Sequence, residues 1–325
     1  MQDTKLKNDP STMLSRRTFV GGVMATTAIA AARPTAIASP VDVAESNVPP
    51  NWIDAHVHIW SPDTERYPIS SQFSESDMRP KSFTADQLFE HCRSAGVQRV
   101  VLIQMSFYQY DHAYMLDAME ANPGVFSGVA LIDHRRPDLT KRMKSLAQKG
   151  MRGFRLHSRG DAKDWVDDPG MDELWRTAAH EGLAVCPLIN PDDIPYVDAL
   201  CKKHPDTTVV VDHFARIGIS GKMERDSLDQ LCRLARFPNT HVKTSAFYAL
   251  GKKRAPYDDL IPMIKQVTEH FGPERLMWAS DCPFQVEDGH TYEASIALIR
   301  DRIDFLSASD KQWLLKGTAE KVFFA

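Results

Sequence analysis

Residues 52–58 read Trp-Ile-Asp-Ala-His-Val-His, an apolar run that ends on polar side chains. A run of this length and pattern predicts a buried strand of a parallel sheet. Similar runs recur along the chain, and the eight predicted strands are 52–58, 98–104, 125–131, 153–157, 183–189, 208–212, 241–245 and 276–280. Eight parallel strands are the number that closes a sheet into an α/β barrel.

Stretches with helical length and period separate these strands. Thr84 and Gln87 form a capping-box pattern ahead of the first helix, and Gly96 follows that helix as a stop signal. The other predicted helices are 109–121, 137–149, 171–181, 192–204, 223–236, 257–270 and 292–306. We therefore predict an α/β protein in which residues 51–325 form a single domain, a (β/α)8 TIM barrel. A doubly wound open sheet is the alternative.

A long polar segment, residues 60–82, follows the first predicted strand and contains Pro62, Pro68 and Pro80. Loops of this length are uncommon in compact domains and are often functional. The aromatic residues of the segment are consistent with a lid over the barrel opening and equally with a loop that packs on itself.

The composition is that of an ordinary globular protein, with 325 residues, 43% hydrophobic and 25% charged. It excludes a disordered, fibrous or disulfide-dense chain. The formal net charge of −4 argues against a nucleic-acid partner, because such binding depends on basic surface that neutralises phosphates. The five cysteines are odd in number and widely spaced, which predicts buried thiols rather than a disulfide framework: Cys92, Cys186, Cys201, Cys232 and Cys282.

The first residues have the pattern of an export signal. Arg16 and Arg17 precede a run of small apolar residues, 20–32, and Ala-Ile-Ala at 36–38 supplies a cleavage site. Because the run resembles a twin-arginine leader, we expect the twin-arginine export machinery as a partner and the periplasm as the location. The predicted signal peptide is 1–38, and a linker follows at 39–50. A run of about 13 residues is too short for a stable membrane anchor.

Polar residues recur where predicted strands end. In a barrel these ends converge on one opening, so their side chains are candidate site residues. His56 and His58 lie on the same side of the first strand because strand side chains alternate, and this spacing allows one divalent cation to contact both imidazoles. His213 follows the sixth strand and Asp281 follows the eighth. An isolated His-x-His is often accidental, but polar residues at three strand ends favour a site.

Four segments spread over nearly all of the chain after the leader carry a family resemblance: Ile-Asp-Ala-His-Val-His-Ile-Trp at 53–60, Gly-Phe-Arg-Leu at 153–156, Val-Val-Val-Asp-His at 209–213 and Arg-Leu-Met-Trp-Ala-Ser-Asp-Cys-Pro at 275–283. They resemble the amidohydrolase superfamily, in the lactonase-like branch called amidohydrolase 2. The resemblance implies lactone hydrolysis in a barrel. It also implies that His56, His58, His213 and Asp281 occupy metal-site positions.

The sequence departs from the superfamily pattern at two strands. Many members carry a carboxylated Lys or a Glu on the fourth strand and a His on the fifth. Here the fourth reads Gly-Phe-Arg-Leu-His and the fifth includes Ala-Val-Cys-Pro-Leu. We therefore expect one divalent cation, with Zn²⁺ favoured, or a metal-free site, rather than two metals. Cys186 on the fifth strand is interpreted as a structural thiol.

The expected mechanism needs a base for the attacking water and positive charge at the carbonyl oxygen. Asp281 is predicted to be the base, and His56, His58 and His213, with or without a metal, are predicted to polarise the carbonyl. Asp54 is expected to support the site rather than to bind the metal.

Basic residues near the predicted opening indicate a small anionic lactone, carboxylated or sulfonated, as the substrate. The candidates are Arg155, Arg216 and Lys243, with His157 and Tyr248 as weaker lining residues. The alternative for Arg155 is an ion pair with Asp212 or Asp281.

Two other functions fit the same residues. One is a metal-dependent non-oxidative decarboxylase of the same superfamily, which normally keeps the His that is missing from the fifth strand here. The other is a catalytically silent periplasmic protein that binds a sugar acid. The sequence leaves the oligomeric state open, including a homo-oligomer.

Overall fold

Parallel strands follow one another around the sheet in sequence order. They are β1 (Trp52–Val57), β2 (Val97–Ile103), β3 (Phe126–Leu131), β4 (Met151–His157), β5 (Ala184–Leu188), β6 (Thr208–Val211), β7 (Thr240–Ser245) and β8 (Leu276–Ala279). The computed structural model describes residues 50–325. The eight predicted strands are confirmed to within two residues at each end. The predicted leader, 1–38, and the predicted linker, 39–50 except for its last residue, lie outside the described residues.

The first and last strands meet and nearly close the barrel. The His58 backbone N–H donates to Cys282 O at 2.8 Å, and the Asp281 N–H donates to His56 O at 2.9 Å. The buried Asp54 carboxylate adds a side-chain link, because its Oδ1 accepts from the Ser280 N–H at 2.9 Å. The (β/α)8 barrel prediction is confirmed, and the open-sheet alternative is wrong because its edge strands would not meet.

Helices α1 to α8 lie between successive strands, and α9 to α11 follow β8. They are α1 (Ala85–Cys92), α2 (Ala113–Ala121), α3 (Leu139–Gln148), α4 (Ala162–Trp165), α5 (Pro169–His180), α6 (Ile194–Lys203), α7 (Arg225–Arg233), α8 (Ile261–Phe271), α9 (Tyr292–Ala297), α10 (Ala308–Gln312) and α11 (Thr318–Phe323). The capping box before α1 is present, with Thr84 N–H donating to Gln87 Oε1 at 2.8 Å and Gln87 N–H donating to Thr84 Oγ1 at 3.3 Å. Within residues 50–325, no helix has the length and apolar character needed to cross a membrane.

The two C-terminal helices α10 and α11 were not predicted from the sequence. Phe323 of α11 is buried and belongs to the cluster formed by the inward-facing residues of the strands, including Ile53, Ala184 and Met277. Because these three residues lie near the beginnings of their strands, α11 fills the end of the barrel opposite the strand ends that carry the candidate site.

The long segment after β1 packs against the protein. Trp60 is buried, its Nε1 donates to Pro80 O at 2.9 Å, and its ring meets Phe107 edge-on. Tyr67 donates to Asp117 Oδ2 at 2.7 Å and packs on Tyr114. These contacts favour the packed loop over the lid.

All five cysteines are buried free thiols, as predicted. Cys186 packs among the apolar residues inside the barrel, and burial raises the pKa of its thiol to about 12. A protonated thiol is a poor metal ligand, which agrees with the structural interpretation of this residue.

Candidate active site

The ends of β1, β6 and β8 bring four predicted site residues into one buried cluster. Nε2 of His56 lies 3.2 Å from Nε2 of His58 and 3.5 Å from Oδ1 of Asp281. Nε2 of His58 is also 3.5 Å from that oxygen, and Nε2 of His213 is 3.7 Å from Oδ2 of the same carboxylate. Asp281 is therefore the centre of the cluster.

A left-handed turn after β6 positions His213. His213, Phe214, Ala215 and Arg216 all have positive φ angles, between 51° and 58°. Left-handed backbone costs non-glycine residues roughly 1–2 kcal/mol each, and such strain is found mainly at functional sites. The turn places His213 in the cluster and brings Arg216 within 3.3 Å of the Asn190 side-chain oxygen.

Hydrogen bonds on the far side of the rings orient two of the histidines. His58 Nδ1 lies 2.9 Å from Ile103 O. Because a carbonyl only accepts, Nδ1 carries the proton and Nε2 presents a lone pair when the ring is neutral. His213 Nδ1 lies 2.7 Å from Ser245 Oγ, and this hydroxyl can donate or accept. Ser245 was not predicted as a site residue, since nothing in its local sequence distinguishes it from an ordinary strand serine.

Burial favours the neutral form of His213 and His56. It lowers the pKa of His213 to about 4. Burial also lowers the pKa of His56 well below its ordinary value, and the Lys243 ammonium adds to this effect. Neutral imidazoles at neutral pH suit either metal ligation or hydrogen bonding to a carbonyl oxygen.

Asp281 is ionised. Burial alone would raise its pKa, but the imidazoles of His213, His58 and His56 outweigh burial and hold the pKa below its ordinary value. Tyr248 donates to Oδ2 of Asp281 at 2.8 Å. Tyr248, predicted as a substrate-lining residue, therefore lies in the site with its hydroxyl on the candidate base.

A second group of buried charged residues, Asp212, Lys243 and Arg155, lies next to the histidines. Asp212 Oδ1 is 3.0 Å from Lys243 Nζ, and Oδ2 is 3.6 Å from Arg155 Nε. Burial alone would raise the pKa of Asp212, but Lys243 and Arg155 outweigh it and lower the pKa. The ion pair considered as the alternative for Arg155 is present. Lys243 was predicted to contact substrate, but it has no exposed surface and contacts His56 and Asp212 instead.

A cavity of about 350 Å³ reaches this cluster through Arg155, whose Nη1 is 3.5 Å from Nε2 of His58. The cavity is also lined by His157, Arg159 and Arg135. Burial, followed by the charges of Arg155, Arg216 and Arg159, lowers the pKa of His157 to about 4. Arg159 and Arg135 were missed in the sequence, although both follow closely after strand ends, where binding residues of a barrel lie.

Three side chains offer a metal site. One ligand atom each from His56, His213 and Asp281 lies within 4.8 Å of the others. Two imidazoles and one carboxylate are a donor set that suits a divalent cation in a catalytic site. His58 lies beside this trio, with its Nε2 3.5 Å from Oδ1 of Asp281.

Comparison with known proteins shows the family of this chain. Residues 53–325 match the family model described as Amidohydrolase. The chain belongs to the amidohydrolase family. The prediction of an enzyme in the lactonase-like branch of that superfamily is thereby confirmed.

Two curated relatives of this amidohydrolase are lactone hydrolases. L-Fucono-1,5-lactonase of Burkholderia ambifaria is 30% identical over 253 residues, which cover 73% of this chain and 82% of that protein. 4-Sulfomuconolactone hydrolase of Hydrogenophaga intermedia is 23% identical over 244 residues, which cover 73% and 76% of the two chains.

Solved structures share the barrel of this amidohydrolase. A candidate 2-pyrone-4,6-dicarboxylic acid hydrolase from Pseudomonas putida is 25% identical, with a TM-score of 0.71 and coverage of 84% of this chain and 97% of that chain. An amidohydrolase from Burkholderia multivorans, solved with bound zinc, is 22% identical with a TM-score of 0.70, and the match covers 84% of this chain and 99% of that chain. 5-Carboxyvanillate decarboxylase from Sphingomonas paucimobilis shares the fold. It is 15% identical with a TM-score of 0.61, and the match covers 84% of this chain and 99% of that chain.

Proposed function

We propose that this amidohydrolase opens the ring of a small anionic lactone by attack of water on the lactone carbonyl. The observation that carries the proposal is the ionised, buried Asp281 facing three imidazoles beside a cavity lined by guanidinium groups. A carboxylate in this setting can hold water and take its proton. The names of the two lactone-hydrolysing relatives support the same reaction.

In this mechanism the water oxygen bonds to the carbonyl carbon while a water proton passes to Asp281. The tetrahedral intermediate then collapses, the ring carbon–oxygen bond breaks, and protonated Asp281 returns the proton to the leaving oxygen. The product is an open-chain hydroxy acid. Ser245 can donate to Nδ1 of His213 and so leave an Nε2–H that polarises the carbonyl oxygen.

We propose Zn²⁺ as the divalent cation of the site. His56, His213 and Asp281 would hold it. When bound, such a cation polarises the carbonyl and makes its water more acidic.

The charge of the proposed substrate follows from the basic residues. Arg155, Arg216 and Arg159 are close enough together to act on the same imidazole, that of His157. Among residues 50–325, the guanidinium of Arg159 has no ion-pair partner, whereas the Arg136 guanidinium is paired with Asp138 at 2.8 Å. An unpaired Arg beside a cavity is suited to bind a carboxylate or sulfonate.

Arg159→Gln is expected to raise KM for a carboxylated lactone by about threefold to tenfold with little change in kcat, because the contact is charged but exposed. Steady-state kinetics on a carboxylated lactone and on its neutral analogue checks this. The neutral substrate should be unaffected. Arg136→Gln, which removes an arginine of the same kind outside the cavity, serves as the control. An equal effect of both variants, or an equal effect on both substrates, would argue against an anionic substrate.

A neutral sugar lactone is the second candidate substrate, favoured by the 30% identity to L-fucono-1,5-lactonase. A panel of neutral, carboxylated and sulfonated lactones, together with hydroxybenzoates, separates the functions. The proposal predicts the highest kcat/KM for an anionic lactone. Preference for a neutral sugar lactone would support lactone hydrolysis but would replace the proposed anionic substrate with a neutral one. Release of carbon dioxide, or saturable binding without turnover, would replace hydrolysis with decarboxylation or with binding alone.

We also propose export through the twin-arginine machinery to the periplasm, on the sequence of residues 1–38. A fusion of residues 1–50 to a reporter that folds in the cytoplasm should appear in the periplasmic fraction. Replacing both Arg16 and Arg17 by Lys should retain the reporter in the cytoplasm, because the arginine pair is the recognised feature. Replacing Lys5 and Lys7 by Gln is the control and should leave export intact. Equal export of both double variants would exclude this route.

A further inference from the structure

Lys243 is a buried cation with two polar contacts. Its side chain has no exposed surface, and Nζ lies 3.0 Å from Asp212 Oδ1 and 3.0 Å from Nδ1 of His56. The ring of Phe323 lies 5.6 Å from Nζ on the apolar side. Buried charges are costly unless they are paired and hydrogen-bonded. Asp212 supplies the pairing, whereas the contact with His56 needs a separate explanation.

The direction of the hydrogen bond between Lys243 and His56 is fixed by chemistry. An ammonium group has three donors and no acceptor, so Nδ1 of His56 must accept. The proton of a neutral His56 ring then sits on Nε2. That N–H points at Nε2 of His58, 3.2 Å away, which is an acceptor because His58 donates through Nδ1 to Ile103 O. Each contact in this chain thus has one donor and one acceptor.

We propose that Lys243 is a positioning residue that holds His56 as a hydrogen-bond donor and thereby opposes its use as a metal ligand. A metal ion needs the lone pair of His56 Nε2, which is available only when Nδ1 carries the proton. In that state Asp212 Oδ1, 3.4 Å from Nδ1 of His56, can accept a hydrogen bond from the Nδ1–H. Binding of a cation therefore requires His56 to exchange Lys243 for Asp212 as its partner.

The hydrogen-bond partners of His58 and His213 do not oppose metal ligation by Nε2 in this way. His58 presents its lone pair in either state because its partner is a carbonyl. His213 can present a lone pair or an N–H, since Ser245 can accept or donate. Lys243 is thus the side chain that sets the metal affinity of the trio His56, His213 and Asp281. This inference rests on the candidate metal site and is independent of the substrate.

Nitrogen NMR of the metal-free wild-type protein tests the first step without any substitution. The histidine signals are assigned by the loss of one set in His56→Gln. The proposal predicts a protonated Nε2 and an unprotonated Nδ1 for His56. The opposite pattern in the folded wild-type protein would overturn it, whatever any variant does.

Zinc affinity tests the second step. Lys243→Met keeps a long apolar side chain and removes the donor, so His56 can donate to Asp212 and ligate through Nε2. Competition with a chelator should show about tenfold or greater tightening of zinc binding, and the NMR pattern of His56 should reverse. Thr244→Val is the control: Thr244 is equally buried on the adjacent position of β7, and zinc affinity should stay at the wild-type value.

Two outcomes of the experiment on Lys243→Met would also overturn the inference. One is a folded Lys243→Met protein that binds zinc no more tightly than the wild type. The other is tighter binding with an unchanged protonation pattern at His56, which would assign the effect to lost positive charge alone. If Lys243→Met does not fold, the wild-type NMR result decides. None of these measurements uses a lactone, so failure here is distinguishable from failure of the proposed reaction.

Discussion

Asp281→Asn is expected to lower kcat for lactone hydrolysis by about a thousandfold, within the range for loss of a general base. The amide keeps the size of the side chain but cannot take the proton of the attacking water. KM should change little, because the basic residues that hold the substrate lie on other elements. Steady-state kinetics with purified wild-type and variant protein checks this, and circular dichroism establishes that the fold is intact.

Asp288→Asn is the matched control for this substitution. Asp288 is exposed, adopts a positive φ of 53° that suits Asn, and lies outside the cluster. It should retain wild-type kcat. Retention of wild-type hydrolysis by a folded Asp281→Asn protein would show that another group is the base.

Asp54→Ala is expected to lower the free energy of unfolding by about 3 kcal/mol at pH 7, because three donors lose their acceptor. The donors are the Ser280 N–H at 2.9 Å, the His56 N–H at 3.1 Å and the Tyr292 hydroxyl at 2.7 Å. They tie β1 to β8 and to α9. Urea denaturation followed by tryptophan fluorescence measures the loss. An unchanged unfolding midpoint would mean that Asp54 does not hold the closure of the barrel.

Asp54→Asn should change the pH dependence of stability. Burial raises the pKa of Asp54 from 3.8 to about 6, despite its hydrogen bonds. The folded state therefore binds the proton more tightly than the unfolded chain. Stability should fall as pH rises through the interval from about 4 to 6, by a total on the order of 3 kcal/mol.

The amide introduced by Asp54→Asn does not titrate and removes this contribution. The difference in unfolding free energy between the wild type and the variant should therefore vary across the interval. Denaturation at several pH values measures that difference. A constant difference from about pH 4 to pH 6 would contradict the assigned pKa.

The strands and the central cluster could be predicted because local sequence determines them. Apolar runs of strand length mark β1 to β8, and polar residues that end such runs must meet at one opening of a barrel. The C-terminal helices were not predicted because the burial of Phe323 depends on the end of the barrel that it fills. No local sequence pattern shows this packing. Likewise α2 begins at Ala113, four residues later than predicted, after Gln109 adopts a positive φ of 48°.

The contacts around the central cluster were harder to predict than the cluster itself. Lys243 was assigned to substrate binding by its charge, and Tyr248 was assigned as a weaker lining residue by its position. Their partners, Asp212 with His56 and Asp281 respectively, come from other strands and depend on the tertiary arrangement. Arg159 lies in a loop whose path the sequence does not define. Side-chain identity and strand position therefore predicted the central residues, while Ser245, Arg159 and the direction of each hydrogen bond required the structure.

The most direct test of the central claim is hydrolysis of an anionic lactone in water enriched in the heavy oxygen isotope, with mass spectrometry of the product. Attack of water on the carbonyl carbon predicts one heavy oxygen in the new carboxylate and none in the new hydroxyl group. Heavy oxygen in the hydroxyl group would show cleavage at the other ring bond. The absence of ring opening for every lactone tested, with a folded enzyme, would contradict the proposed function.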